Sequence, residues 1–184
     1  MKVSFLLFFI VATVMSRGQS NDQFIFHHLG FHDGLLGDEI NATAQDEKGF
    51  IWIGGKNGLQ RYDGFRFLNF KSRAGDSTSI PHNNIESLQV DNKNRIWLIT
   101  SDFKCGFFDA ATFRFHAVKA YCGSKLLNKV TAIFELDEKK NILVILRSQG
   151  NEPCGVLTYD EKRDALTDGD KRFELPADWR IGFL

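Results

Sequence analysis

One motif recurs along this chain at a nearly fixed period, and that period constrains the fold more than any other feature. Asp46-Glu47-Lys48-Gly49-Phe50-Ile51-Trp52-Ile53 has the form Asp-x-x-Gly-x-x-Trp followed by an apolar residue. A second copy begins 45 residues on, Asp91-Asn92-Lys93-Asn94-Arg95-Ile96-Trp97-Leu98, with Asn94 in the glycine position. A third follows 46 residues later, Asp137-Glu138-Lys139-Lys140-Asn141-Ile142-Leu143-Val144, and lacks both the glycine and the Trp. Such a repeat means one supersecondary unit laid side by side, each unit burying what its neighbour cannot.

The local chemistry of each copy is that of a β-hairpin. Asp46 can accept backbone N–H bonds in the turn, and Gly49 can take a positive φ without steric cost. Asn94 tolerates that conformation too. Lys140 tolerates it less well, so a different turn, or Asn141 in that role, is expected in the third copy. Residues 40–45 and 50–54 read as the flanking strands. Asn57-Gly58 signals a second hairpin into a strand at 59–62, and Asp63-Gly64 a third into 65–70. Four short antiparallel strands in about 45 residues make one blade of a β-propeller. The second repeat predicts strands at 85–90, 95–100, 106–109 and 113–118. The third predicts 130–136, 141–147 and 155–160, with a weak strand at 165–166 and a widened loop at 148–154.

The expected fold class is therefore all-β, with about three four-stranded blades. Residues 23–71 form a first strand plus blade 1, 80–118 blade 2, 128–167 blade 3, and 168–184 the start of a further blade. A propeller is stable when its ring closes, and rings have at least about four blades. Residues 23–29 read as a closing strand without a partner, so the chain is expected to be a fragment of a longer protein.

Composition narrows the function classes. Among 184 residues the formal net charge is zero, with 25% charged and 43% hydrophobic residues, which argues against nucleic acid or an anionic membrane surface as a partner. The 18 Phe fall largely in short β-like runs and read as core. Lys2, an apolar run at 3–15 and small residues at 16–20 describe a secretory signal peptide over residues 1–18, too short to span a bilayer. Export to the periplasm follows as an expectation. Cys105, Cys122 and Cys154 allow three pairings, Cys105 with Cys122 being nearest in sequence; the preferred reading is three buried or half-buried residues with no redox role.

The segments Leu29-Gly30-Phe31-His32-Asp33-Gly34-Leu35, Gln45-Asp46-Glu47-Lys48-Gly49-Phe50-Ile51-Trp52-Ile53-Gly54 and Gly58-Leu59-Gln60-Arg61-Tyr62-Asp63-Gly64-Phe65-Arg66-Phe67 resemble two-component regulator propeller repeats. The resemblance is strongest at 29–70, good at 84–115 and weak after 128. Leu143, Lys140 and Gly55 depart from it. It implies the periplasmic sensor region of a hybrid histidine kinase or related regulator. Such a protein continues into further blades, an immunoglobulin-like domain, a membrane helix and a kinase. The chain itself has no phospho-acceptor segment or nucleotide-binding glycine box, and is not expected to be an enzyme.

Several residues invite sharper readings. Trp52 and Trp97 could stack on sugar rings, but a position that accepts Leu143 in the third copy is a packing position. Asp46, Asp91 and Asp137 could be calcium ligands or paired acids; recurring once per turn, they read as turn caps alongside Gly49 and Asn94. His27 and His28 would face opposite sides of a strand, so with His32 they do not form a metal site; no metal or cofactor is expected. Asp33, Asp38 and Glu39 read as a solvated loop. Propeller ligands usually meet the loops at one channel mouth, here 54–58, 72–84, 101–104, 120–128 and 148–153. Arg73, Asp76, His82, Asn83 and Asn84 are the ligand-contacting candidates. The expected function is non-catalytic sensing of an oligosaccharide, with the remainder of the same protein as partner and a homodimer as a further expectation. The alternatives are a structural or protein-binding propeller, and a glycoside hydrolase or lyase, which needs two carboxylates about 5–10 Å apart.

Overall fold

The computed structural model describes residues 26–146 and 155–168. The expected signal peptide, the wide loop at 148–154 and the further blade after 168 lie outside these residues. Two four-stranded antiparallel sheets come first in the chain. The first sheet comprises β1 (Ile40–Gln45), β2 (Ile51–Gly55), β3 (Gly58–Tyr62) and β4 (Phe67–Phe70), in that spatial order. The second comprises β5 (Ile85–Val90), β6 (Arg95–Thr100), β7 (Cys105–Asp109) and β8 (Arg114–Ala117), also in order. Their repetition is exact enough to include an irregularity: the register shifts between Ile40 and Ala42 and again between Ile85 and Ser87, at the start of each first strand. Both fourth strands begin at a capped turn. Asp63 Oδ1 accepts the N–H groups of Phe65 and Arg66, which keeps these residues in the turn, so β4 starts at Phe67 and Phe65 is 93% exposed.

The third sheet departs from the expected four strands. Beside β11 (Ala132–Leu136), β12 (Ile142–Leu146), β13 (Val156–Asp160) and β14 (Ala165–Thr167), it carries a hairpin of β9 (Lys119–Cys122) and β10 (Lys125–Leu127). Strand β9 pairs in parallel with β14, Lys119 opposite Ala165 and Ala120 opposite Leu166. The segment 120–128, expected as a mouth loop, is therefore mostly an outer-edge extension of the sheet. Its alternation explains why: Ala120 and Cys122 are buried in the core while Lys119 is exposed.

The core is two clusters, one per junction between neighbouring sheets. Trp52, Leu59, Ile80, Ile85, Leu88, Ile96, Leu98, Phe108 and Phe115 fill the first junction. Trp97, Ile99, Val118, Ala120, Phe134, Val144, Leu157, Leu166 and others fill the second. Gly54 sets the closeness of the first junction: a Cβ there would stand 2.7 Å from Ile85 Cγ2 and 3.0 Å from Ile85 Cβ. Trp52 stacks on Phe70 and meets Phe108 edge-on, and Trp97 meets Phe107, Phe134 and Tyr159. The packing reading of both tryptophans holds.

Three further expectations need correction. Residues 26–29 are irregular and at least a third exposed rather than strand, and Phe26 is 92% exposed. Residues 34–36 instead lean on the first sheet through Gln60, which accepts from the Leu36 N–H and donates to Gly34 O. Lys140 itself takes the left-handed conformation, φ 57°, matching Asn94 at 59° and Gly49 at 83°. Cys105 and Cys122 are both buried, as expected, but Cys122 is disulfide-bonded and Cys105 is a free thiol, so the Cys105–Cys122 pairing fails. Burial pushes the Cys105 thiol up to about 12, which leaves it un-ionised and unreactive at neutral pH.

Candidate functional site

Each repeat presents one end where β1-type strands turn into β2-type strands, and an opposite end where the first strands begin. At the turning end the three aspartates share one geometry. Asp46 Oδ1 accepts from Lys48 N at 2.9 Å and Phe50 N at 3.0 Å. Asp91 Oδ1 accepts from Lys93 N and Arg95 N, and Asp137 Oδ1 from Lys139 N and Asn141 N. The second oxygen does what the sequence reading missed. Trp52 Nε1 donates to Asp46 Oδ2 at 2.9 Å, and Trp97 Nε1 to Asp91 Oδ2 at 2.8 Å. Aspartate and tryptophan are one buried unit: the indole N–H that cannot reach water satisfies a carboxylate that cannot reach water either. In the third repeat Leu143 has no such donor, and Asn141 Nδ2 donates to Asp137 Oδ2 at 2.9 Å instead. The paired change from Arg95 and Trp97 to Asn141 and Leu143 was the sequence signal for this coupling.

These carboxylates are saturated by N–H donors and stand one per repeat. That arrangement suits structure and gives no converging acid pair. The turns also bond to each other, Glu47 N to Asn94 Oδ1 at 2.9 Å and Asn92 N to Lys140 O at 2.8 Å.

The opposite end gathers polar side chains that bond to one another and to the backbone. Ser101 N donates to Asn84 O, joining the β6–β7 turn to the lead-in of β5. His82 Nδ1 accepts from Asn84 N and lies 3.0 Å from Ser101 Oγ. Asn41 Nδ2 crosses from the first sheet to Ile85 O at 2.8 Å and Asn84 Oδ1 at 3.2 Å. On the same rim Glu39 pairs with Lys56. Phe103, in the left-handed region at φ 65°, carries Lys129 Nζ 5.0 Å above its ring and accepts from Val130 N.

The structure brings His82 and Asn84 together and keeps Arg73 and Asp76 apart from them. Arg73 pairs with Asp76 at 3.1 Å, and Asp76 accepts from the Thr78 hydroxyl at 2.6 Å and the Thr78 N–H. Those bonds hold the Asp76 carboxyl below the ordinary range, the hydroxyl contributing most. Phe115 N donates to Thr78 O, which seats this turn against the fourth strand of the second sheet, on the outer side. Asn83 Oδ1 caps Ser72 N and closes the loop on itself. His27, His28 and His32 are exposed, and no group of three or more potential metal ligands occurs among the described residues. Ser101 joins the rim cluster from the expected mouth loop 101–104, and Asn41, expected only as a strand residue, joins it from β1.

Residues 34–57, which span β1, the first Asp–Trp turn and β2, match the family model described as "two component regulator propeller". This chain carries a two-component regulator propeller repeat. Over 77 residues, 42% of its length, it is 34% identical to Histidine kinase P4 of Formosa agariphila, of which the match spans 6%. Its fold is similar to the extracellular domain of BT3049 of B. thetaiotaomicron, assigned as a hybrid two component system. The TM-score is 0.62 at 19% identity, over 79% of this chain and 20% of that one. The extracellular domain of BT4673 from the same organism gives 0.50 at 23% identity, over 68% and 17%. The propeller chain thus spans a small fraction of each protein it resembles. No helix among its described residues is long and apolar enough to cross a membrane.

Proposed function

We propose that this chain is part of a periplasmic, non-catalytic, ligand-sensing propeller of a two-component signalling protein, responsive to a glycan. The observation that carries the reading is the two-component regulator propeller match over residues 34–57, on the strand pair that builds the first blade. The likeness in sequence to a histidine kinase and in fold to two extracellular domains points the same way. The geometry adds a division of labour: the turning end is consumed by Asp–Trp bonding, while the strand-start end offers His82, Asn84, Asn41 and Ser101 side chains at a rim. Those side chains supply donors and acceptors of the type that neutral sugar hydroxyls require. Calorimetric titration of the full protein's exported region with a panel of oligosaccharides tests the reading. Saturable heat with one glycan class and no turnover of it supports sensing; silence across the panel, or release of cleaved product, contradicts it.

A further inference from the structure

Asn84 is the hub of the rim. Its Oδ1 accepts from Asn41 Nδ2 of the first sheet at 3.2 Å, its Nδ2 donates to Glu86 Oε1 at 3.4 Å, and its carbonyl accepts from Ser101 N at 3.0 Å. Asn41 reaches the same segment a second time, donating to Ile85 O at 2.8 Å. Asn41 and Glu86 hold equivalent places, each standing where the first strand of its sheet breaks register. Such an irregularity re-aims a side chain, and both side chains here end on one asparagine. The first sheet, β5 and the β6–β7 turn thus meet at Asn84.

The remaining bond to Asn84 depends on a proton. Asn84 N donates to His82 Nδ1 at 3.0 Å, and Ser101 Oγ lies 3.0 Å from the same nitrogen. A ring nitrogen accepts only while it carries no hydrogen, so this contact selects the neutral imidazole with its hydrogen on Nε2. Protonation puts a second N–H on Nδ1, facing the Asn84 N–H. The Ser101 hydroxyl can rotate and present a lone pair to it. The backbone N–H of Asn84 has no such freedom and loses its acceptor.

No charged side chain contacts the ring among the described residues: the lead-in to β5 meets it through Asn84, and the β6–β7 turn through Ser101. The ionisable groups around this network are Glu86 on Asn84 Nδ2, Asp102, which accepts from the Thr100 hydroxyl, and Lys104 in the same turn. On the first sheet's side of the rim, Glu39 and Lys56 are paired with each other. His82 is exposed, so protons from solvent reach it directly.

We infer that His82 is a pH-operated latch on the rim: its neutral ring holds Asn84 in place, and protonation of the ring lets Asn84 go. Imidazole is the side chain that changes charge between about pH 5 and 8. A bond made only to the neutral ring is present at the upper end of that range and is lost as pH falls. The control of ligand affinity by this latch rests on the sensing role proposed above; the latch itself does not.

The first arm of the test needs no ligand. Hydrogen exchange in the full protein is followed at about pH 7.5 and about pH 5.5, with each rate divided by the intrinsic rate at that pH. Protection of the Asn84 and Ser101 amides should fall roughly threefold at the lower pH, the loss of one exposed hydrogen bond. His82→Asn should show no such fall, because an Asn side chain accepts from the N–H two residues on and carries no titrating proton. Equal protection at both pH values in wild type, or the same fall in His82→Asn, overturns the inference. In the second arm, calorimetric titration with a panel of oligosaccharides at the same two pH values should show affinity falling in wild type and constant in His82→Asn. No heat with any oligosaccharide beside a His82-dependent loss of protection contradicts the sensing role and supports the latch. Affinity unmoved by pH beside that loss overturns the latch's control of binding.

Discussion

The Asp–Trp pair is the smallest unit that carries this structure. Asp46 and Asp91 are 5% and 3% exposed, and each gives one oxygen to turn N–H groups and the other to an indole. Trp52→Phe should cost about 1–3 kcal/mol from the orphaned buried oxygen alone, beyond any loss of packing, as read by chemical denaturation. Asp137→Ala, at a half-buried turn without a Trp, should cost less than Asp91→Ala. On the outer side, Tyr159 donates to Asp164 at 2.6 Å and His116 Nε2 lies 2.8 Å from it. The Tyr159 hydroxyl first, then His116, holds the Asp164 carboxyl below the ordinary range. A carboxylate depressed in the folded state adds stability above its unfolded pKa, and that stability is lost as pH falls through the folded value. Asp164→Asn should therefore lower Tm slightly at neutral pH, and the gap from wild type should close below about pH 4. The carboxylates were legible in the sequence as turn caps because Asp recurs once per period. Their second bond was legible only in the third copy, where Asn141 and Leu143 replace Arg95 and Trp97 together, because a buried Trp at a fixed place reads as packing whether or not its N–H is bonded.

At the scale of elements, most strands were legible because turn chemistry brackets them. Asp63-Gly64, Asn57-Gly58 and the Asp-x-x-Gly turns bound β1 to β4 within two residues. The hairpin of β9 and β10 was missed because a four-strand template leaves no place for it, although Lys-Ala-Tyr-Cys alternates as a half-buried strand should. Its attachment is testable. Ala120 is 1% exposed against Leu166, so Ala120→Asp should bury an unpaired charge, lower Tm and open the segment 119–127 to proteolysis. Between elements, Gly54→Val should force β2 away from Ile85 at a cost of about 1–3 kcal/mol, measured by denaturation. The candidate loop at 72–84 was legible as a loop, but not its split: a backbone bond to Phe115 carries Arg73 and Asp76 outward and leaves His82 and Asn84 at the rim.

For the whole molecule, the repeat makes each sheet depend on the next. Trp52 and Trp97 each sit in a junction, and turn-to-turn bonds from Asn94 and Asn92 tie the sheets at one end. That end holds the blades together, and the proposed sensing role is assigned to the other. Calorimetric titration of the full protein with a panel of oligosaccharides, repeated on His82→Ala, Asn84→Ala and Asn92→Ala, separates the two roles. The account predicts at least a tenfold loss of affinity, about 1.4 kcal/mol, for each rim variant at unchanged Tm, and unchanged affinity with lowered Tm for Asn92→Ala. Affinity that depends on Asn92 and ignores both His82 and Asn84 would contradict it.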